Sequence, residues 1–181
     1  MTEIIQLSKK IVLLGDPSVG KTSLARKFVF DIFDDKYITT LGTKISKKQI
    51  VYEKLVNDAT ISLTMLVWDV MGQHDFAQFR EVAYTGCMGG IVVCDITRKE
   101  TIENWLYWRD SLFKSVGEVP IVVLGNKIDL AENHEPEVVM VKKITTENNL
   151  ISFFTSAKTG ENVDNAFYLL GQNILKKDYK L

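Results

Sequence analysis

A chain of 181 residues, 46% hydrophobic and 25% charged, has material for one domain with a substantial core and little room for two independent ones. A net charge of −1 and a pI near 6.1 give no global pull toward nucleic acid or an anionic membrane. The only cysteines, Cys87 and Cys94, lie in no paired metal or redox spacing, so nothing suggests a disulfide framework or a zinc site, and a reducing cytoplasm fits. The expectation is a single domain over 1–181, monomeric and cytoplasmic, without a nucleic-acid partner.

The opening stretch "MTEIIQLSKK" has no signal-peptide core and no glycine at position 2 to accept myristate. The apolar run "KIVLLG" at 10–15 then predicts a strand buried on both faces, and 20–33 has helical spacing. Between them lies "GDPSVGKTSL", in which Gly15, Gly20, Lys21 and Thr22 match G-x-x-x-x-G-K-[ST] in the strand-to-helix setting that the pattern requires. Gly15, Asp16, Pro17, Ser18, Val19, Gly20, Lys21, Thr22 and Ser23 therefore form a candidate phosphate cradle. Backbone N–H groups at the helix start would grip the β-phosphate, Lys21 would meet the β and γ oxygens, and Thr22 would offer its hydroxyl to Mg²⁺. This loop alone specifies a nucleoside triphosphate and leaves kinase, ATPase and GTPase open.

From Thr43 to Asp69, two alternating runs flank "VNDAT" with no room for a helix, which predicts an antiparallel hairpin. The second run ends in "WDVMGQ". There Asp69 is placed to hold a metal-bound water, Gly72 to give its N–H to a γ-phosphate and Gln73 to orient an attacking water. The plain alternative for Asp69 is a helix cap after a strand. Thr39 and Thr40, in the preceding loop, are candidates to close over Mg²⁺ and the γ-phosphate.

"GGIVVCDI" at 89–96 predicts another buried strand, followed by helical spacing over 101–116. Trp105, Tyr107 and Trp108 lie too close together to face one core, so that helix is expected to pack at its edges. "VPIVVLGN" at 119–126 runs into "NKID", where Asp129 can accept from both N1–H and the N2 amino group of guanine. A site built for two such bonds rejects adenine because a buried carboxylate would be left unpaired. Asn126 would brace the loop and reach N7, with the Lys127 stem over one ring face. "ISFFTSA" at 151–157 ends in "TSAK", where Ser156, the Ala157 N–H and Lys158 complete the base pocket, and 161–177 predicts a final helix. Alternating β and α elements predict an α/β fold: a mostly parallel six-stranded sheet with one antiparallel hairpin strand and helices on both faces. Ligands of such sheets bind at the carboxyl ends of the strands.

With these elements in this order, the chain resembles the Ras superfamily of small GTPases, P-loop NTPases of the small G-domain fold, and most closely their Rab-like branch, over roughly 8–177. Counting from Lys21 without gaps, the resemblance puts Phe33 against the guanine ring, Tyr37 over the phosphates and Thr40, in preference to Thr39, on Mg²⁺. It implies a GTP/GDP switch with Mg²⁺ as cofactor, metal ligands Thr22, Thr40 and Asp69, and Gln73 and Lys21 as catalytic residues. Effectors, exchange factors and GTPase-activating proteins would bind switch I (36–45) and switch II (69–84). Intrinsic turnover would be slow, about 10⁻⁴ per second for Ras alone, with an arginine finger adding roughly 10³ to 10⁵-fold. No arginine lies between Phe33 and Thr40 to act as a finger in cis.

The sequence departs from that pattern in five places. "TLGTKI" at 40–45 carries Lys44 where an acidic residue is usual. "DVMGQ" replaces the usual D-T-A-G-Q, with Met71 at a normally small position, and the hairpin is longer than is typical. Pro17 stands at a position commonly glycine, although the strongest phosphate-binding N–H groups come from Ser18 onward. Its ring is expected to sit where Gln73 and an incoming finger meet, which would hinder activated more than intrinsic hydrolysis. Finally, "KKDYKL" contains no cysteine for prenylation, so no direct lipid anchor is visible. A shortened chain, a relative that never binds lipid, and recruitment to a membrane by a protein partner all fit. The competing reading is a nucleotide-binding interaction module with negligible hydrolysis.

Overall fold

A computed structural model describes residues 4–34, 42–56, 59–70 and 77–180. The first strand, β1 (Ile4–Leu14), begins well before the apolar run, because Ile4 to Leu13 pair in parallel with Thr60 to Asp69 of β3 (Ala59–Val70). Its first half alternates exposed and half-buried residues, and only its second half is buried on both faces. β2 (Thr43–Val56) runs antiparallel to β3, as the hairpin pattern predicts. β4 (Gly89–Asp95), β5 (Ile121–Asn126) and β6 (Ile151–Thr155) complete a six-stranded sheet in the order β2-β3-β1-β4-β5-β6, with β2 alone antiparallel. β4 and β5 are buried along their whole length, which is why they read as unbroken apolar runs.

Helices cover both faces. On one, α1 (Lys21–Phe30) and α6 (Val163–Tyr179) pack Leu24, Phe28, Phe167 and Leu170 onto Ile11, Leu63 and Val93. Phe28 and Phe167 stack with centroids 3.9 Å apart, each ring contributing about 1.5–3 kcal/mol by leaving water. The helix α6 lies so close to the hairpin that a Cβ on Gly171 would come within 2.1 Å of the Tyr52 hydroxyl. That hydroxyl donates to the Tyr168 carbonyl at 2.7 Å.

On the other face, α2 (Ala77–Tyr84), α3 (Lys99–Glu103), α4 (Trp105–Val116) and α5 (Glu135–Glu147) pack Tyr84, Ile102, Trp105, Trp108, Leu112 and Val141 onto Val12, Leu14, Val92 and Val123. Trp105 and Trp108 are buried while Tyr107 is 43% exposed, so the crowded aromatics divide between core and surface. The helix expected over 101–116 is interrupted at Asn104, which sits at φ −79°, ψ 0° between α3 and α4. The expected helix over 20–33 ends at Phe30, because Asp31 turns left-handed (φ 56°) and its N–H closes onto the Lys27 carbonyl. The last helix starts at Val163 and runs to Tyr179, a two-residue shift from 161–177 at both ends.

Candidate functional site

The carboxyl ends of β3, β1, β4, β5 and β6 bring the described candidate residues together along one edge of the sheet. Between β1 and α1 the chain curls tightly, with positive φ at Gly15 (135°), Ser18 (65°) and Gly20 (103°). At Gly15 a Cβ would lie 2.2 Å from the Val93 carbonyl oxygen, so only glycine leaves the strand this way. Asp16 and Val19 are buried, Ser23 is half-buried on α1, and Pro17 and Ser18 are exposed at the loop's tip. Lys21 folds back beneath the loop and donates to the carbonyls of Gly15 at 2.7 Å and Asp16 at 2.8 Å. Burial pushes its pKa down to about 8, against the pull of Asp69 and Asp16.

Thr22, on the first turn of α1, donates to Asp69 Oδ2 at 2.5 Å. Asp69 is 3% exposed, and its other oxygen, Oδ1, is buried with no hydrogen-bond partner among the described residues. Burial raises the Asp69 pKa, while the Thr22 bond and the charges of Lys21 and Lys44 oppose that rise. A buried carboxylate oxygen without a partner is costly, and a cation or its bound water supplies what is missing. Among the described residues no three His, Cys, Asp or Glu side chains gather.

At the base end, Asn126 donates from Nδ2 to the Val19 carbonyl at 2.9 Å and accepts from Thr155 Oγ1 at 3.2 Å. Gly20 leaves room for that amide: a Cβ there would lie 2.3 Å from Nδ2. Asp129 begins the 3₁₀ turn Ile128–Asn133 and accepts from Ser156 Oγ at 2.6 Å. Ala157 is buried, Lys158 is exposed, and Phe33 packs half-buried against the core cluster beneath α1. Lys127 takes a left-handed backbone (φ 68°) and sets its ammonium 2.5 Å from Asp95 Oδ2. Tyr37, Thr39, Thr40, Met71, Gly72, Gln73, His74 and Asp75 lie outside the described residues.

Several residues around the phosphate loop escaped the sequence reading. Asp16 accepts from Asn104 Nδ2 at 2.8 Å and from the Trp108 indole at 2.7 Å, and Arg98 Nη2 donates to the Pro17 carbonyl at 2.7 Å. Asp95 alone left a trace, since it ends a predicted strand as Asp69 does. Arg98 precedes α3 with an extended backbone, and Asn104 and Trp108 sit in a segment whose pattern reports only which side is apolar.

Residues 10–176 match the sequence pattern of the Ras family. The chain belongs to the Ras family. It is 35% identical over 173 residues to the Ras-related protein Rab7 of Drosophila melanogaster, covering 92% of this chain and 80% of that one. With the GTP-binding protein ypt5 of Schizosaccharomyces pombe it shares 34% over 177 residues (97% and 82%), and with the dog Ras-related protein Rab-13 34% over 169 (93% and 80%). This Ras-family member is a small GTPase of the Rab-like branch, as its ordered motifs imply. Among its described residues no helix is long and apolar enough to cross a membrane.

Proposed function

We propose that this chain is a molecular switch that binds GTP and GDP with Mg²⁺, hydrolyses GTP slowly, and changes partners as its switch segments respond to the γ-phosphate. The observation that carries the reading is the corner where Thr22 bonds one oxygen of Asp69 and the other is buried with no partner among the described residues. Thr22, Asp69 and Thr40 would hold the Mg²⁺, which when bound neutralises charge on the β and γ oxygens. Lys21, already aimed along the inside of the loop, neutralises the remaining phosphate charge. Gln73 orients the attacking water, and the N–H of Gly72 binds the γ-phosphate.

The base loops support guanine. Asp129 is oriented by Ser156, and Asn126 ties the base loop to the phosphate loop, so a bound base and its phosphates share one frame. Effectors, exchange factors and activating proteins would read switch I (36–45) and switch II (69–84), with the protein working as a monomer, cytoplasmic or held at a membrane by a partner. Single-turnover hydrolysis on the purified chain, compared with Gln73→Leu, tests the reading. Conversion of GTP that drops at least tenfold in the variant supports the switch. Equal rates would remove Gln73 from the mechanism, no detectable conversion would leave a binding module without catalysis, and tighter binding of ATP than GTP would remove the guanine assignment.

A further inference from the structure

We infer that Asp95 and Arg98 form a clasp joining the base loop to the phosphate loop and thereby set how long a nucleotide stays bound. The inference rests on the nucleotide-binding reading above and adds two positioning residues to it. Asp95 ends β4 directly beside Asn126 at the end of β5, and its side chain is fully buried. Its Oδ1 is occupied: the Thr97 N–H donates at 3.0 Å and the Thr97 hydroxyl at 2.7 Å. Its Oδ2 faces two cations from different loops, Lys127 Nζ at 2.5 Å and Arg98 Nε at 3.3 Å. Neither approach has hydrogen-bond geometry, so both contacts are ionic and share one oxygen.

Arg98 does not stop at Asp95. Its Nη2 reaches the Pro17 carbonyl at 2.7 Å, on the loop where a proline replaces a residue that would carry an N–H. The result is a continuous path from Lys127 of the base loop through Asp95 and Arg98 to Pro17 of the phosphate loop. A buried carboxylate that loses one of two cations is left undercompensated. Opening either loop therefore strains the contact holding the other, and the two ends of a nucleotide are released together. Packing alone does not require this arrangement, since about a third of each of the Arg98 and Lys127 side chains is exposed to solvent. The planar fork of arginine serves both partners at once, which a lysine ammonium at the same position cannot do.

The test loads the full chain with GDP carrying a methylanthraniloyl fluorophore and follows its release into excess unlabelled GDP. Arg98→Ala is expected to release about tenfold faster, the loss of a charge-assisted hydrogen bond. Arg98→Lys keeps the charge and the fold, verified by an unchanged melting temperature in saturating GDP, and is expected to release at least about threefold faster. Combining Arg98→Ala with Lys127→Ala should miss the product of the single effects by about threefold or more, the mark of residues acting through a shared partner. Release from Arg98→Lys within about 1.5-fold of the parent, or a double variant equal to the product, would overturn the clasp. A parent chain that holds no labelled GDP removes the nucleotide reading itself and the clasp with it.

Discussion

Lys44 stands directly across the β2–β3 ladder from Asp69, so the two side chains leave the same face of the sheet at neighbouring positions. The charge reversal noted in the sequence thus falls beside the corner proposed to hold Mg²⁺. An ammonium there opposes the charge of Asp69 and, under the proposed function, would partly substitute for the metal. Chelating Mg²⁺ with EDTA should speed GDP release in every variant, and by about two- to fivefold more in Lys44→Ala than in the parent, the range of a charge pair with one solvent-exposed partner. Equal acceleration in the two would show that Lys44 does not reach Asp69.

Pro17 is exposed, and its carbonyl is held by Arg98. Its ring is expected to obstruct an arginine finger supplied by another protein. Pro17→Gly should leave intrinsic GTP hydrolysis within about twofold and raise the rate stimulated by a cognate activator at least tenfold, a part of the gain that a finger supplies. Stimulated rates that do not change would show that the ring is out of the way.

Trp108 places its indole N–H on Asp16 while lying 1% exposed in the core. Replacing it with phenylalanine removes a donor from a buried carboxylate and leaves a void. Chemical denaturation should show Trp108→Phe less stable by about 2 kcal/mol or more. A smaller loss would mean that Asn104 and the rest of the surroundings suffice for Asp16.

The hairpin is fastened to α6 where Gly171 passes the Tyr52 hydroxyl. Gly171→Ala should displace that hydroxyl from the Tyr168 carbonyl and cost about 2–4 kcal/mol through overpacking and a broken buried bond. Tyr52→Phe, which only loses the bond, should cost about 1 kcal/mol. Melting curves of the two variants distinguish overpacking from loss of the bond.

Burial pushes the Cys87 thiol up to about 11 and Cys94 up to about 12, from an ordinary value of 9.0. At pH 8 the folded chain should react with iodoacetamide roughly 100-fold more slowly than the unfolded chain, because the thiolate is the reacting form. The same shifts fix a stability trend. Between about pH 9 and 11 the unfolded thiols lose protons that the folded ones keep, so folding stability falls as pH rises through that window. Stability that rose there would contradict the buried placement.

Much of the frame was legible because its physics is local. Unbroken apolar runs marked β4 and β5, alternation marked the hairpin, and the glycine spacing from Gly15 to Gly20 announced a loop that only that spacing permits. The helix end at Asp31 was missed because an aspartate took the left-handed cap that glycine usually fills. The helix α5 was passed over although Pro136 and the acidic Glu135 and Glu137 sit in its first turn, a recognisable start. The contacts of Arg98, Asn104 and Trp108 with the phosphate loop could not be read at all. Their importance lies in reaching across the fold to Asp16 and Pro17, and sequence spacing carries no record of such distances.

The described candidate ligand-holding residues extend from Gly15 to Lys158, across most of the chain, and meet because five adjacent strands end along one edge. Under the proposed function, a nucleotide seated there is a reversible cross-link between distant segments. Ligand linkage then adds about 4 kcal/mol of stability at a free concentration a thousand times the dissociation constant. Exchange, in which the site is briefly empty, is therefore also the moment at which the chain is most open to proteolysis and aggregation. A partner that catalyses exchange has to chaperone the emptied protein as well as eject its ligand.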